Sequence, residues 1–359
     1  MIRTDIKIDK PIYAQGGAPV YQFGCSRFLF TDGEKTGDGL LGEVGAEVSR
    51  YGKKPLIIGG NTALGLTREV IQKSLEKAGI IGIFKVYSGP CTLENVNQLL
   101  DGEDIDVIVG VGGGRIMDMS KLCAYVAKVP VVNIPTSSAT CAAVSSLSVL
   151  YDAKGKTVGT LCYEQGVNSV ITDVSVIRTQ PRRLAVAGIL DTMAKRLEIE
   201  HYQLDEPGLL AAKILAQNIF QNLYEKKDED IRKTIYYCIP LTGVISGLSR
   251  GRNQSHLGHG LYEAARKIFT EECEKALHGE LVGIGLFLQL AFDNRQSEIE
   301  KLREYMRQLS MPLSLPEVGI ADTQENRKKL YDAMLNSPYL EKNEKYQERL
   351  KTALNFVWR

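Results

Sequence analysis

Short apolar runs alternate with helical periodicity through the first half of the chain. Pro55–Gly60 (PLIIGG) predicts a buried strand ending in glycines, and Thr62–Ala78 predicts a helix. Ile80–Tyr87 reads as a strand and Leu93–Leu100 as a helix; Asp106–Gly110 (DVIVG) and Val129–Ile134 are strands around a helical Ile116–Lys128. Runs of four to eight residues alternating with helices predict βαβ units and a parallel sheet. Leu147–Tyr151 and Thr157–Leu161 flank the Gly-containing loop Asp152–Lys156, which predicts a β-hairpin. Ser169–Thr172 adds a short strand.

The texture changes at Thr179–Pro181. Beyond it Leu184–Glu200, Gly208–Leu223, Asp230–Leu248, Gly260–Phe269, Glu280–Phe292, Glu298–Leu309 and Asn326–Leu335 all carry helical periodicity. The expected division is an α/β domain over residues 1–179 and an α-helical domain over residues 180–359.

Composition adds exclusions. The 359 residues carry 44 Lys+Arg against 43 Asp+Glu, so neither a polybasic nucleic-acid binder nor an acidic tail is expected. The seven cysteines are odd in number and contain no CxxC, which fits reduced thiols. The opening MIRTDIKIDKPIYAQ lacks the apolar run of a signal peptide, and no apolar stretch is long enough to span a membrane. A cytoplasmic setting is expected, with a small-molecule substrate.

Two stretches carry candidate chemistry. Val109–Asp118 reads VGVGGGRIMD, a strand running into glycines and then a helix. Such a turn lets backbone approach a phosphate and aims helix N–H groups at it, although a merely tight strand-to-helix turn looks the same. Asp118, one turn into that helix, either complements the helix dipole or lines a cofactor cleft. In the second stretch, His256 and His259 form HLGH, and His278 follows in LHGE. Three of the four histidines thus fall within 23 residues, which fits a metal site, since imidazole is the commonest ligand, or else chance clustering or helix-capping histidines. A carboxylate would complete a site with three ligands and an open position. Asp191, in the apolar helix GILDTMAKRLE, is poorly explained as solvated surface; a hydrogen-bonded Asp near a helix start is the plainer alternative. His201 is left to the surface.

These segments carry a resemblance. GVGGGRIMDMSK (110–121), VPVVNIPTSSATCAAVSSLSVLYD (129–152), LAVAGILDTMAKRLE (184–198), HLGHGLYEA (256–264) and LHGELVGIGLFLQL (277–290) occur in family order. With them the chain resembles the iron-containing alcohol dehydrogenase superfamily, in its glycerol-dehydrogenase-like branch. The resemblance implies an α/β N-terminal Rossmann-like domain plus an all-α C-terminal domain, the fold shared with dehydroquinate synthase. It implies reversible hydride transfer between NAD or NADP and an alcohol or carbonyl, and one divalent ion, Zn²⁺ in preference to Fe²⁺. Carried over by motif, the metal ligands are Asp191, His256 and His278. His259 becomes a neighbouring general acid–base. Gly112, Gly113 and Gly114 cradle the pyrophosphate, with Asp118, Thr136, Ser137, Ser148 and Tyr151 along the cofactor. A homo-oligomer is also implied.

The chain departs from the pattern at three places. Cys141 in Thr140-Cys141-Ala142-Ala143 replaces a substrate-side Asp of glycerol dehydrogenases, which argues against glycerol and for the 2-oxo acid members of the branch. Lys195 stands four residues after Asp191, where some members have a further His. It shares the helix face and is expected either to bind a substrate carboxylate or to pair with a local acid such as Glu198. The first strand ends Gly59-Gly60-Asn61 with no carboxylate to repel a 2′-phosphate, so NADP(H) is permitted. The expected activity is a metal-dependent NAD(P)-linked oxidoreductase for a small 2-oxo or 2-hydroxy acid. The alternatives are a glycerol or glycerol-phosphate dehydrogenase, a dehydroquinate-synthase-like lyase, and a non-catalytic nucleotide-binding relative.

Overall fold

The central apolar runs are buried along their whole length, which only a sheet covered on both faces provides. The computed structural model describes residues 24–30, 39–139, 141–153, 155, 157–202, 206–225, 231–249, 255–337, 339–341 and 343–359. Six strands form one parallel sheet: β1 (Arg27–Phe30), β2 (Pro55–Gly59), β3 (Ile83–Val86), β4 (Val107–Gly112), β5 (Val131–Pro135) and, after the hairpin, β8 (Ser169–Thr172), in the order β1-β8-β5-β4-β2-β3. The hairpin is β6 (Leu147–Tyr151) with β7 (Thr157–Cys162), antiparallel as expected. The opening segment, Thr140, and the loop residues 154 and 156 lie outside the described residues.

Side chains alternate across the sheet. Leu56, Ile58 and Ile108 pack on one face with Met117 and Leu122, while Ile57, Val107 and Val109 pack on the other with Ile71 and Leu75. The covering helices are α1 (Val44–Val48) and α2 (Asn61–Lys77), then α3 (Leu93–Leu100) and α4 (Gly114–Ala127). From β2 the chain moves outward to β3 and then returns to the other side of β2 as β4. This reversal lies between the strands ending at Gly59 and Gly112, and such a switch point opens a crevice for a ligand. Strand β4 runs two residues beyond the expected Gly110, because Val111 and Gly112 keep their pairing with Ile134 and Pro135. Only Gly113 remains between β4 and α4.

After α5 (Val174–Ile177), the remaining helices are α6 (Arg182–Ile199), α7 (Pro207–Phe220), α8 (Ile231–Tyr236), α9 (Thr242–Leu248), α10 (Leu257–Ile268), α11 (His278–Phe292), α12 (Gln296–Gln308), α13 (Gln324–Leu335) and α14 (Glu344–Ala353). Helices α6 and α11 are buried nearly all round, as central helices must be. The single helix expected over Asp230–Leu248, whose first residue is not described, is divided by a π turn at Tyr237–Leu241. Pro240 within it cannot donate an amide hydrogen bond, which disrupts the regular ladder. Helix α10 starts three residues before the expected Gly260, so His256 caps it and His259 lies in its first turn.

Candidate active site

At the sheet end, Gly113 caps α4 and has no side chain to bond the first N–H groups of the helix. The amide of Thr136 donates to the Gly112 carbonyl at 3.0 Å, which sets the Thr136–Ser137 stretch beside the glycine turn. A Cβ on Gly113 would be in van der Waals contact with the Ser137 hydroxyl at 3.9 Å, so Ser137 lies directly beside the turn. The structure therefore brings Gly112, Gly113, Gly114, Thr136 and Ser137 together.

Asp118 and Ser148, expected along the cofactor, bond to each other's elements. Along β6 the side chains of Ser148 and Leu150 are buried, while Leu147, Val149 and Tyr151 are half-exposed. The period of two thus turns Ser148 inward. Its hydroxyl donates to the Asp118 carbonyl at 2.8 Å and accepts from Tyr163. The Asp118 carboxylate accepts from the Val149 amide at 3.2 Å and pairs with the buried Lys121 at 3.1 Å. Burial still pushes the Asp118 carboxyl up, against the opposing charge and hydrogen bond of Lys121. Asp118 thereby fastens the hairpin to α4. Tyr151 donates its amide to Cys91 and packs its half-exposed ring against the sheet core.

The second group lies where three helices meet. Asp191, in the middle of α6, offers one carboxylate oxygen at 3.2 Å to Nε2 of His259 and at 3.2 Å to Nε2 of His278. The three donor atoms lie within 4.8 Å of one another. Close helix packing makes this possible. A Cβ on Gly279 would fall 1.8 Å from the Ala187 carbonyl, so only glycine lets the start of α11 rest on α6 beside His278. Glu280 holds that start, accepting from the Leu277 amide at 2.8 Å and from Arg183 of α6 at 2.5 and 2.6 Å. Tyr262 meets the His278 ring edge-on at 4.2 Å.

His259 is held from both sides. Its Nδ1 faces the fully buried Glu198 carboxylate at 2.5 Å, and the same carboxylate accepts the backbone N–H groups of His256 and His259 at 2.7 and 2.8 Å. An ionised carboxylate only accepts, so the ring proton sits on Nδ1. Nε2 of a neutral ring then presents a lone pair to a lone pair of Asp191, and a proton or a cation must lie between them. Without a cation a second proton is retained: burial opposes it, but the Glu198 charge and the hydrogen bonds to Asp191 and Glu198 raise His259 to about 9. Burial would push Asp191 up, but the charges of His278 and Lys195 and the hydrogen bonds of both histidines hold it well below the usual carboxylate range. Ligand atoms about 2.1 Å from a tetrahedral zinc ion lie about 3.4 Å apart. The 3.2 Å contacts fit that spacing, so the donor set suits a divalent ion.

His256, expected among the ligands, lies outside the group formed by Asp191, His259 and His278. Gln289 donates through Nε2 to Asp293 at 2.6 Å, which leaves its Oε1 facing His256 Nδ1 at 2.7 Å. His256 Nδ1 is therefore the donor, and Nε2 accepts from the Tyr346 hydroxyl at 2.5 Å. Both ring nitrogens are spent and none is left for a metal. Burial, followed by the neighbouring His201, lowers the ring to about 4 and keeps it neutral. His201 is not a surface residue either: it stacks on His256 at 3.7 Å between ring centroids and its Nδ1 lies 3.2 Å from Asp293. His259, expected as a neighbouring general acid–base, has a carboxylate facing each ring nitrogen. Glu198 was legible only as a possible partner of Lys195.

Lys195 is buried, yet among the described residues it makes no hydrogen bond or ion pair, not even with Glu198 three residues on. Its charge acts on Asp191, Glu198, His259 and Cys141. Cys141, in the turn Cys141–Ala143, is thus a neighbour of the cluster. Burial pushes its thiol up to about 11 despite Lys195, so it remains a neutral contact. A Cβ on Gly188 would stand 2.3 Å from the Ser138 carbonyl, which shows how closely α6 approaches the loop leading from Ser137 to Cys141.

Residues 35–174 match the family described as iron-containing alcohol dehydrogenase. The glycerol dehydrogenase of Thermotoga maritima is 26% identical over 312 residues, covering 79% of this chain and 82% of that protein. Hydroxycarboxylate dehydrogenase A of Escherichia coli K12 is 26% identical over 255 residues, covering 66% of this chain and 69% of its own. The crystal structure of glycerol dehydrogenase from Schizosaccharomyces pombe superimposes with a TM-score of 0.80 at 19% identity, covering 97% of this chain and 92% of that one. Over residues 35–174 the chain is similar to the iron-containing alcohol dehydrogenases, the relatives it resembles include glycerol dehydrogenases, and its fold is that of a solved glycerol dehydrogenase.

Proposed function

We propose that this chain is a metal-dependent NAD(P)-linked oxidoreductase that interconverts a small 2-oxo acid and its 2-hydroxy acid. The observation that carries the reading is the Asp191 oxygen facing two imidazole nitrogens at 3.2 Å, with buried Lys195, unpaired among the described residues, among the charges acting on it. Asp191, His259 and His278 would hold a divalent ion; imidazole and carboxylate suit zinc and iron alike, and the likeness to glycerol dehydrogenases favours zinc. Such an ion polarises a substrate oxygen, and the nicotinamide supplies or takes the hydride.

The chain's own residues position the reactants. The α4 N-terminus and the turn Gly112–Gly114 receive the pyrophosphate, beside Thr136 and Ser137. Half-exposed Tyr151 would border the cofactor from the hairpin. Lys195 offers three donors to a substrate carboxylate, and an acidic substrate would supply the partner that a buried ammonium requires. Cys141 presents a neutral thiol to the substrate, where a carboxylate would repel a 2-oxo acid. The residues 1–179 then serve the nucleotide and residues 180–359 the metal. Gly60 has open space where a side chain would stand, which leaves room for a 2′-phosphate and supports use of NADP(H) as well as NAD(H). The seven free cysteines support a reducing, cytoplasmic setting, and the family likeness supports a homo-oligomer.

Metal analysis followed by an NAD(P)H-oxidation screen tests the proposal. Turnover of 2-oxo acids by the metal-loaded protein is expected. Turnover of dihydroxyacetone or its phosphate alone would favour the glycerol or glycerol-phosphate reading. Full metal loading with no carbonyl reduced would reject the dehydrogenase reading.

A further inference from the structure

We propose that Glu198 is a positioning residue of the metal centre, fixing His259 in the tautomer whose Nε2 lone pair faces Asp191 and His278. The inference rests on the metal-dependent reading above and names the group that prepares the ligand. Glu198 is fully buried on α6, two turns after Asp191, so one helix presents both the ligand carboxylate and the carboxylate behind the opposing histidine. Its two oxygens divide the work. Oε1 accepts the backbone N–H of His256 at 2.7 Å and of His259 at 2.8 Å, satisfying the otherwise unpaired start of α10. Oε2 takes the Nδ1 proton of the His259 ring at 2.5 Å. Backbone and ring of one residue are thus held by one carboxylate, which fixes both the position of His259 and the direction of its free lone pair.

The same geometry makes Glu198→Gln informative. Two backbone N–H groups point at Oε1, so the glutamine oxygen must stay there and its NH₂ must face Nδ1. Nδ1 then has to accept, the ring proton moves to Nε2, and the lone pair facing Asp191 is lost. Glu198→Asp retains a carboxylate acceptor with a shorter reach.

The test is chelator competition for Zn²⁺ with the full-length protein and both variants, alongside circular dichroism of the metal-free forms. E198Q is expected to bind Zn²⁺ about 10–100-fold more weakly. E198D is expected to recover part of that loss. Wild-type affinity in E198Q overturns the inference, and so does equal weakening of both variants, which would mean loss of packing rather than of tautomer control. Should E198Q not fold, the ring ¹⁵N spectrum of the Zn²⁺-loaded wild-type protein decides: a protonated Nδ1 with metal-bound Nε2 on His259 upholds the inference, and the reverse assignment overturns it. Failure of the wild-type protein to bind Zn²⁺ or Fe²⁺ would instead reject the metal-dependent reading.

Discussion

His256 and His259 stand three residues apart, within hydrogen-bond reach of the same glutamate, yet they lie in different chemical regions. Around His256 every partner matches: Nδ1 donates to Gln289, Nε2 accepts from Tyr346, and His201 covers the ring. Around His259 the partners conflict, because carboxylates face both of its nitrogens. A satisfied ring belongs to the core; a ring between acceptors needs a proton or a cation. Burial does not separate the two, since both histidines are buried. The polarity of the partners does.

The largest expected effect breaks the conflicted region. His259→Ala or Asp191→Asn should abolish tight metal binding and lower turnover about 10³-fold or more, measured by elemental analysis and steady-state kinetics. His256→Leu is the contrasting change. It should leave the metal content intact and destabilise the fold by about 2–3 kcal/mol in urea, since it strands polar groups of Gln289 and Tyr346. Loss of metal in His256→Leu with ligation retained in His259→Ala would reverse the comparison.

Lys195→Ala sharpens the site from the substrate side. It should raise KM for a 2-oxo acid about 10–100-fold, the worth of a charge-assisted hydrogen bond, with a smaller effect on an uncharged aldehyde. Equal effects on both substrates would assign Lys195 to the cluster rather than to substrate.

The pH dependence is subtler. His256 is lowered to about 4, so between that value and 6.5 the unfolded chain binds the extra proton more readily than the folded one. Stability should therefore fall as pH drops through this window, and the fall should be shallower in His256→Leu, as urea midpoints at several pH values would show. The smallest effect expected is at the nucleotide: catalytic efficiencies with NADPH and NADH should agree within about tenfold, because the end of β2 carries no carboxylate. A large NADH preference would contradict that reading.

The sheet and the hairpin were legible because buried strands must be apolar and half-buried ones must alternate; Ser169–Thr172 and Leu93–Leu100 appear with the expected bounds. Asp191 was legible because an acid in an apolar helix demands a partner. Illegible were the choice within HLGH and the role of Glu198. Periodicity starts α10 at Gly260, and only the observed start at Leu257 places His256 at the cap and His259 one turn inside. Glu198 looked like a partner of Lys195 because i, i+3 residues are neighbours on a helix, but its carboxylate turns to another helix.

The sequence by itself determined the layered α/β half, the helical half, the glycine turn and the identity of two of the three clustered groups. These follow from local spacing and from burial, which a one-dimensional pattern records. Only the tertiary structure decided which histidine meets Asp191, which carboxylate stands behind it, and that Ser148 and Asp118 are tied to each other. Those outcomes depend on which donors meet which acceptors between helices far apart in the chain, and residue spacing carries no record of that.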